Sequence, residues 1–175
     1  MRWLPPQNPL RNEPLLTIAK PDIRVVRRDD IERVALLEQA SFKDPYPSYF
    51  LSELARDNPE TFIVATLNDD IVGYAVVDRW EDHDHLISIA VRPDSRRRGL
   101  GESLLLELEK RLSKDRPLRL EVRQSNFSAI RLYLKNGFQR TGLTGGYYAD
   151  GEDAIIMEKT LVKETLLESQ SIPSV

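Results

Sequence analysis

The segment VRPDSRRRGLG, residues 91–101, constrains this chain more than any other. It joins an apolar, β-branched run, HLISIAV, to a stripe of Leu100, Leu104, Leu105, Leu108 and Leu112 at helical spacing. A strand must therefore turn into an amphipathic helix within a few residues. Gly99 and Gly101 let the backbone there approach a ligand closely, and the unpaired N–H groups of a helix start attract an anion. The segment reads as a phosphate-binding turn; the plainer reading is a glycine turn flanked by solvated arginines. A dinucleotide fingerprint would need a third glycine at position 104, which is leucine, and a P-loop would need Lys-Ser or Lys-Thr after the second glycine, where Glu102 and Ser103 stand.

The rest of the chain supplies one domain around that turn. Its 175 residues, 41% hydrophobic and 30% charged, suit a single globular unit burying about two thirds of its unfolded surface. A net charge of -3 gives no global reason to bind nucleic acid, and no apolar run reaches the length of a membrane span. The proline-rich start, MRWLPPQNPLRNEP, lacks the pattern of a secretory signal, so a cytoplasmic location is expected. With no cysteine, the chemistry falls to oxygen and nitrogen groups.

Residues 1–20 hold four prolines and read as an irregular arm, 21–162 as the domain and 163–175 as a tail. Within the domain the periodicities predict the order β-α-α-β-β-β-α-β-α-β-β. Asp29 or Asp30 is expected to cap the first helix, and Pro47 to sit in the first turn of the second. Asn68, Asp69 and Asp70 mark a hairpin, and Gly137 closes the last helix.

Beyond this reading, Arg96-Arg97-Arg98-Gly99-Leu100-Gly101 resembles the R/Q-x-x-G-x-G/A signature of the GNAT acetyltransferase superfamily. LEVRQSNFSAIRLYLKNGF is similar to the second motif of that family, and GYYADGEDAIIM to the ending of RimI-type and archaeal NatA-like N-terminal acetyltransferases. Together these cover residues 22 to about 160. The resemblance implies an α/β (α+β) fold: a single domain with a mostly antiparallel mixed sheet, splayed between two central strands, and helices on both faces. It implies acetyl-CoA as co-substrate and no metal. The cofactor phosphates would fall to Arg96, Arg97, Arg98, Gly99, Leu100, Gly101, Glu102 and Ser103. The pantetheine arm would pair with the backbone of Ile89 and Val91, near Asn126.

For the chemistry, the resemblance offers Tyr133 as general acid, and Glu121 and His85 as rival or joint bases. Acetyl transfer needs a neutral amine, a polarised thioester and a proton for the leaving thiolate. A tyrosine of pKa about 10 stays protonated at neutral pH and can donate to a thiolate whose conjugate acid lies near about 8.5. By pattern alone Tyr133 reads as a core residue and Glu121 as the solvent face of LRLEV, beside Arg119 and Arg123, which would oppose any rise in its pKa. His83-Asp84-His85 does not make a metal site, because the chain has two histidines and spacing supplies no third ligand.

Asp44, in SFKDPYPSYF, matches the acidic residue of this loop in the archaeal subgroup, where bacterial RimI-type proteins have a different loop. On that match Asp44 would meet the substrate's chain end and disfavour acidic first residues, with Phe42, Tyr46 and Tyr49 shaping the pocket. Tyr147 and Tyr148 would form the opposite wall. The acceptor implied is a protein N-terminus, with nucleic acid and membrane excluded as partners. The chain is expected to be a monomer or weak dimer, with an auxiliary subunit as a further expectation. A lysine or small-amine acceptor and a non-catalytic acetyl-CoA-binding subunit are the alternatives.

Overall fold

The computed structural model describes residues 20–162, so the expectations for an N-terminal arm and a C-terminal tail lie outside the described residues. The elements follow the expected order: β1 (Asp22–Val25), α1 (Ile31–Ser41), α2 (Ser48–Asp57), β2 (Phe62–Leu67), β3 (Asp70–Arg79), β4 (Asp84–Val91), α3 (Leu100–Arg111), β5 (Pro117–Arg123), α4 (Phe127–Lys135), β6 (Gln139–Thr144) and β7 (Ala154–Thr160). The strands form one sheet in the order β1-β2-β3-β4-β5-β7-β6.

The period-two alternation of β2 and β3 sorts the core into two layers. Ile63, Ala65, Ala75 and Val77 face the leucine stripe of α3 and the Ile130 side of α4. Phe62, Val64, Tyr74 and Val76 face Val34, Leu37, Leu51 and Leu54 of α1 and α2. Each helix pair thus covers one face of the sheet. The β2–β3 hairpin closes on Asn68 and Asp69 alone, both at positive φ (50° and 67°), a two-residue turn whose twist matches that of the strands. Asp70 belongs to β3.

Two local expectations are corrected. The Asp30 carboxylate makes no cap to the first turn of α1. It turns back to accept the Arg27 N–H at 2.8 Å and pairs with Arg24 at 2.6 Å and Arg33 at 2.7 Å, because two guanidiniums on neighbouring elements compete for it. Pro47 precedes the first turn of α2, extended at φ -71° and ψ 155°, with its carbonyl receiving the N–H groups of Phe50 and Leu51.

The feature that makes a site is the junction of β4 and β5. All other neighbours in the sheet pair antiparallel; β4 and β5 pair parallel, and only at Asp84–Leu118 and His85–Arg119. Beyond His85 the two strands diverge and leave a wedge between Ile87–Val91 and Leu120–Val122. A shift in the β3–β4 register, from Val76–Ser88 to Val77–Leu86, leaves Ile87 without an opposing residue at the mouth of that wedge.

Candidate active site

A cleft of about 800 Å³ fills the wedge. At one end lies the start of α3. Gly99 sits at φ 77°, a left-handed conformation that would strain any other side chain, and Arg97 shares it at φ 59°. This kink opens α3 with no side chain capping its first turn, so its leading N–H groups remain as anion donors. A Cβ at Gly101 would stand 3.4 Å from Leu132 and 3.8 Å from Val91, in the throat between α4 and β4. Arg96, Arg97, Gly99, Leu100, Gly101 and Glu102 line this end, together with Lys135. Arg96 donates through Nε to the Val91 carbonyl at 2.8 Å, tying the turn to the end of β4. Arg98 and Ser103 do not line the cleft; the Ser103 hydroxyl donates to the Gly99 carbonyl at 3.1 Å within the helix.

Ile89 and Val91 form the β4 wall, where the strand has no sheet partner on its β5 side. Across from them stand Asn126, Ala129, Leu132 and Tyr133 of the α4 region. Asn126 caps α4, its side-chain oxygen accepting the Ala129 N–H at 3.1 Å, which leaves its amide NH2 as a donor. Tyr133 is buried against Phe138, ring centroids 5.5 Å apart. Burial, helped by the neighbouring Tyr148, pushes its phenol well above the ordinary value, so it is protonated throughout the physiological range.

At the floor, His85 Nε2 lies 2.8 Å from Glu121 Oε2. The parallel register that ends at His85–Arg119 brings these two residues of neighbouring strands together. Glu121 is on the face of β5 opposite the core residues Leu118, Leu120 and Val122, as alternation requires. Trp80 stacks on the His85 ring at 4.1 Å with planes 10° apart, walling it from solvent. The neighbouring arginines are engaged elsewhere. Arg119 pairs with Glu158 at 2.9 Å, and Arg123 reaches Asp44 at 2.7 Å, Glu152 at 2.8 Å and Asp150 at 3.0 Å.

Those Arg123 contacts reshape the acceptor end. Asp44, expected to meet the substrate, lines the cleft with its carboxylate joined to Arg123, because the α1–α2 loop and the β6–β7 loop fold over the end of β5 and share one guanidinium. Lys43 strengthens the closure with a 2.7 Å bond to Asp150. Phe42, Asp44, Tyr46, Tyr147 and Tyr148 line the cleft. Tyr49 does not: it lies 69% exposed on the outward side of α2. The Arg123 guanidinium sits 3.9 Å from the Tyr148 ring centre, and burial pushes the Tyr148 phenol up to about 12 despite that cation.

Several lining residues escaped sequence reasoning. Ile87 does so because a bulge is a property of pairing and not of composition. Glu38 sits under the cleft, 1% exposed, accepting the Tyr46 N–H at 3.0 Å and the Tyr74 hydroxyl. Only its placement on the apolar side of α1, beside Val34 and Leu37, could have singled it out.

A cleft between two splayed strands, with an anion-ready helix start at one end and a paired histidine and glutamate at the other, matches the family that the sequence motifs suggested. Residues 30–138 fit the model of the "Acetyltransferase (GNAT) family". The chain belongs to this family. An N-alpha-acetyltransferase of Saccharolobus solfataricus is 34% identical over 155 residues, covering 79% of this chain and 92% of that protein. The N-alpha-acetyltransferase RimI of Mycobacterium tuberculosis is 36% identical over 147 residues, 78% and 90% of the two chains. The crystal structure of Ard1 from Thermoplasma volcanium superposes with a TM-score of 0.76 at 30% identity, covering 82% of this GNAT chain and 99% of the other. Among the described residues no three histidine or acidic side chains gather to hold a metal, and no helix is long and apolar enough to cross a membrane.

Proposed function

We propose that this GNAT chain transfers the acetyl group of acetyl-CoA to the α-amine of protein N-termini, by direct attack while both substrates are bound. The observation that carries the reading is the Glu121–His85 contact of 2.8 Å at the floor of a cleft whose other end is the bare start of α3. Acetyl-CoA enters with its pyrophosphate on the α3 N–H groups, Arg96 and Arg97, and its pantetheine arm extends along Ile89 and Val91 as an added strand. The thioester carbonyl then points at the bulge, where Ile87, which has no opposing residue on β3, offers its N–H to the developing oxyanion.

The acceptor chain end lies between Tyr46 on one side and Tyr147 and Tyr148 on the other, under the Arg123 closure. A chain end fits such a slot, whereas an internal lysine brings two flanking backbones. Glu121 with His85 takes one proton from the α-ammonium, and the neutral amine attacks the carbonyl. When the intermediate collapses, the Tyr133 hydroxyl passes its proton to the sulfur as it receives one from the nitrogen. Concerted transfer suits a phenol whose burial makes a free tyrosinate costly. An α-amine also starts nearer the reactive form: with a pKa of about 7.8 it is roughly 14% neutral at pH 7, against on the order of 0.04% for lysine at about 10.4. The reading includes a cytoplasmic location and free protein chain ends as partners.

The test is acetylation of matched peptides, with the N-terminus free or blocked and one internal lysine in each, and the product located by mass spectrometry. The expected product carries acetyl on the free α-amine. Acetyl found mainly on the lysine would overturn the N-terminal assignment and leave family membership untouched.

A further inference from the structure

The Glu121–His85 pair does not end at His85. His85 Nδ1 lies 2.9 Å from His83 Nε2, and His83 Nδ1 lies 2.6 Å from Asp82 Oδ1. His83, in the bend just before β4, and His85, the second residue of that strand, bring their rings within 5.2 Å of each other, centroid to centroid. Their side chains are 4% and 7% exposed, while Asp82 is 70% exposed. His83 does not line the cleft. The result is a line of four groups from the cleft floor to the surface, with a carboxylate at each end and two buried imidazoles between.

Counting protons along this line fixes its chemistry. A contact of 2.6 Å between a ring nitrogen and a carboxylate requires a proton on the nitrogen, so His83 carries it on Nδ1. Neutral His83 then offers a lone pair at Nε2, and His85 must donate to it from Nδ1. Neutral His85 is left with a lone pair at Nε2, 2.8 Å from Glu121 Oε2. The two hydrogen bonds of Asp82–His83–His85 use the two protons that two neutral imidazoles hold, and none is left for the His85–Glu121 contact. The missing proton belongs between His85 and Glu121, at the cleft.

We propose that Asp82 and His83 are positioning residues for acetyl transfer: they fix the tautomer of His85, so that Glu121 and His85 jointly accept the proton leaving the acceptor amine. The balance is simple. The ammonium gives up one proton, the line gains it at the His85–Glu121 contact, and the proton passes to water when the products leave. No atom heavier than hydrogen has to move. Trp80 stacks on the His85 ring, and the hydrogen bond from His83, with Arg119 3.8 Å away, holds the exposed Asp82 carboxyl below its ordinary range. This assignment rests on the amine-acetylating function proposed above.

The decisive comparison is Asp82→Asn, a change at an exposed position that leaves the fold intact. An asparagine amide can donate to Nδ1, which allows both imidazoles to turn to the Nε2–H tautomer and places a donor against Glu121. In the protein without substrates, 15N shifts of the imidazoles are expected to report Nδ1–H on both rings, and Nε2–H in the variant. With peptide and acetyl-CoA, kcat/KM at pH 7 is expected to fall about tenfold with acetyl-CoA affinity unchanged. The deficit should shrink to less than twofold at about pH 9.5, where an amine of pKa about 7.8 arrives already neutral.

The other charged and titratable groups around the line are Glu121, Arg119 with Glu158, the Arg79–Asp84 pair, Arg116 behind Trp80, and Tyr147 and Tyr148 across the cleft. All are unchanged in the variant. His83→Gln, which keeps polar atoms at the site without a titrating ring, should show the same loss and the same recovery with pH. A native His83 carrying its proton on Nε2, or a deficit equal at pH 7 and 9.5, overturns the proposal. Failure of the unaltered protein to acetylate any amine, with the Nδ1–H tautomers observed, would instead reject the function on which it rests.

Discussion

Tyr133 shows how much a single buried residue can decide. Its phenol is held well above the usual value by burial, so kcat should show no falling limb from tyrosine ionisation below about pH 10. Tyr133→Phe keeps the ring against Phe138 and should lower kcat by about 10²-fold with acetyl-CoA affinity nearly unchanged; a near-normal rate in a folded variant rejects the acid role. Gly101 tests the other end of the cleft. A glutamate there would start its side chain in the throat beside Leu132 and Val91 and bring a negative charge to the anion site. Calorimetry of Gly101→Glu should detect no acetyl-CoA binding in a protein that still melts cooperatively. Which residues were legible at this scale depended on local cues. Gly99 and the Asn68–Asp69 turn announce their positive φ values by residue type. Glu38 and Asp82 carry no such mark, because their roles come from partners brought in by the fold: Tyr74 lies 36 residues away from Glu38, and Asp82 touches the His83 ring, which meets His85, the residue that the parallel β4–β5 register sets beside Glu121.

Elements were predicted well where period and punctuation agreed, as in the leucine stripe of α3 and the alternation of β5. The acceptor end was not, because it depends on loops that meet across the sequence. Arg123 joins Asp44, 79 positions away, to Asp150 and Glu152. Asp44 lines the cleft with its carboxylate held by Arg123, a partner that no local cue announces. The closure makes a prediction of its own. Arg123→Ala frees both loops and leaves three carboxylates facing one another, so KM for a peptide should rise at least about tenfold while acetyl-CoA affinity holds, as a steady-state comparison would reveal. An unchanged peptide KM would mean that the two loops do not shape the acceptor slot.

At the scale of the whole molecule, the splay between β4 and β5 is what converts a packed two-layer domain into an enzyme, and it carries a cost in buried polarity. Glu38 lies between α1 and the sheet, where burial raises its pKa against the opposing hydrogen bonds from Tyr46, Tyr74 and Ser88. A carboxyl raised in the folded state contributes stability that is complete below its unfolded value near about 4.5 and is lost as pH climbs through the folded value. Thermal melts of Glu38→Gln should therefore lose less stability than the native chain between pH 5 and 8, and a parallel decline in both would exclude this carboxyl as the source.

The central claim is that acetyl-CoA and a protein chain end meet in the one cleft that the diverging strands create. A peptide whose α-amine is joined through an acetyl link to the sulfur of CoA would occupy both ends of that cleft at once, and the same conjugate built on an internal lysine with a blocked N-terminus would not. Calorimetric titration of the two conjugates, with CoA alone as reference, tests this most directly. The α-linked conjugate is expected to bind at least about 10²-fold tighter than CoA, and the lysine-linked one no tighter than CoA. Equal affinities for the two conjugates, or an α-linked conjugate no better than CoA, would contradict the account.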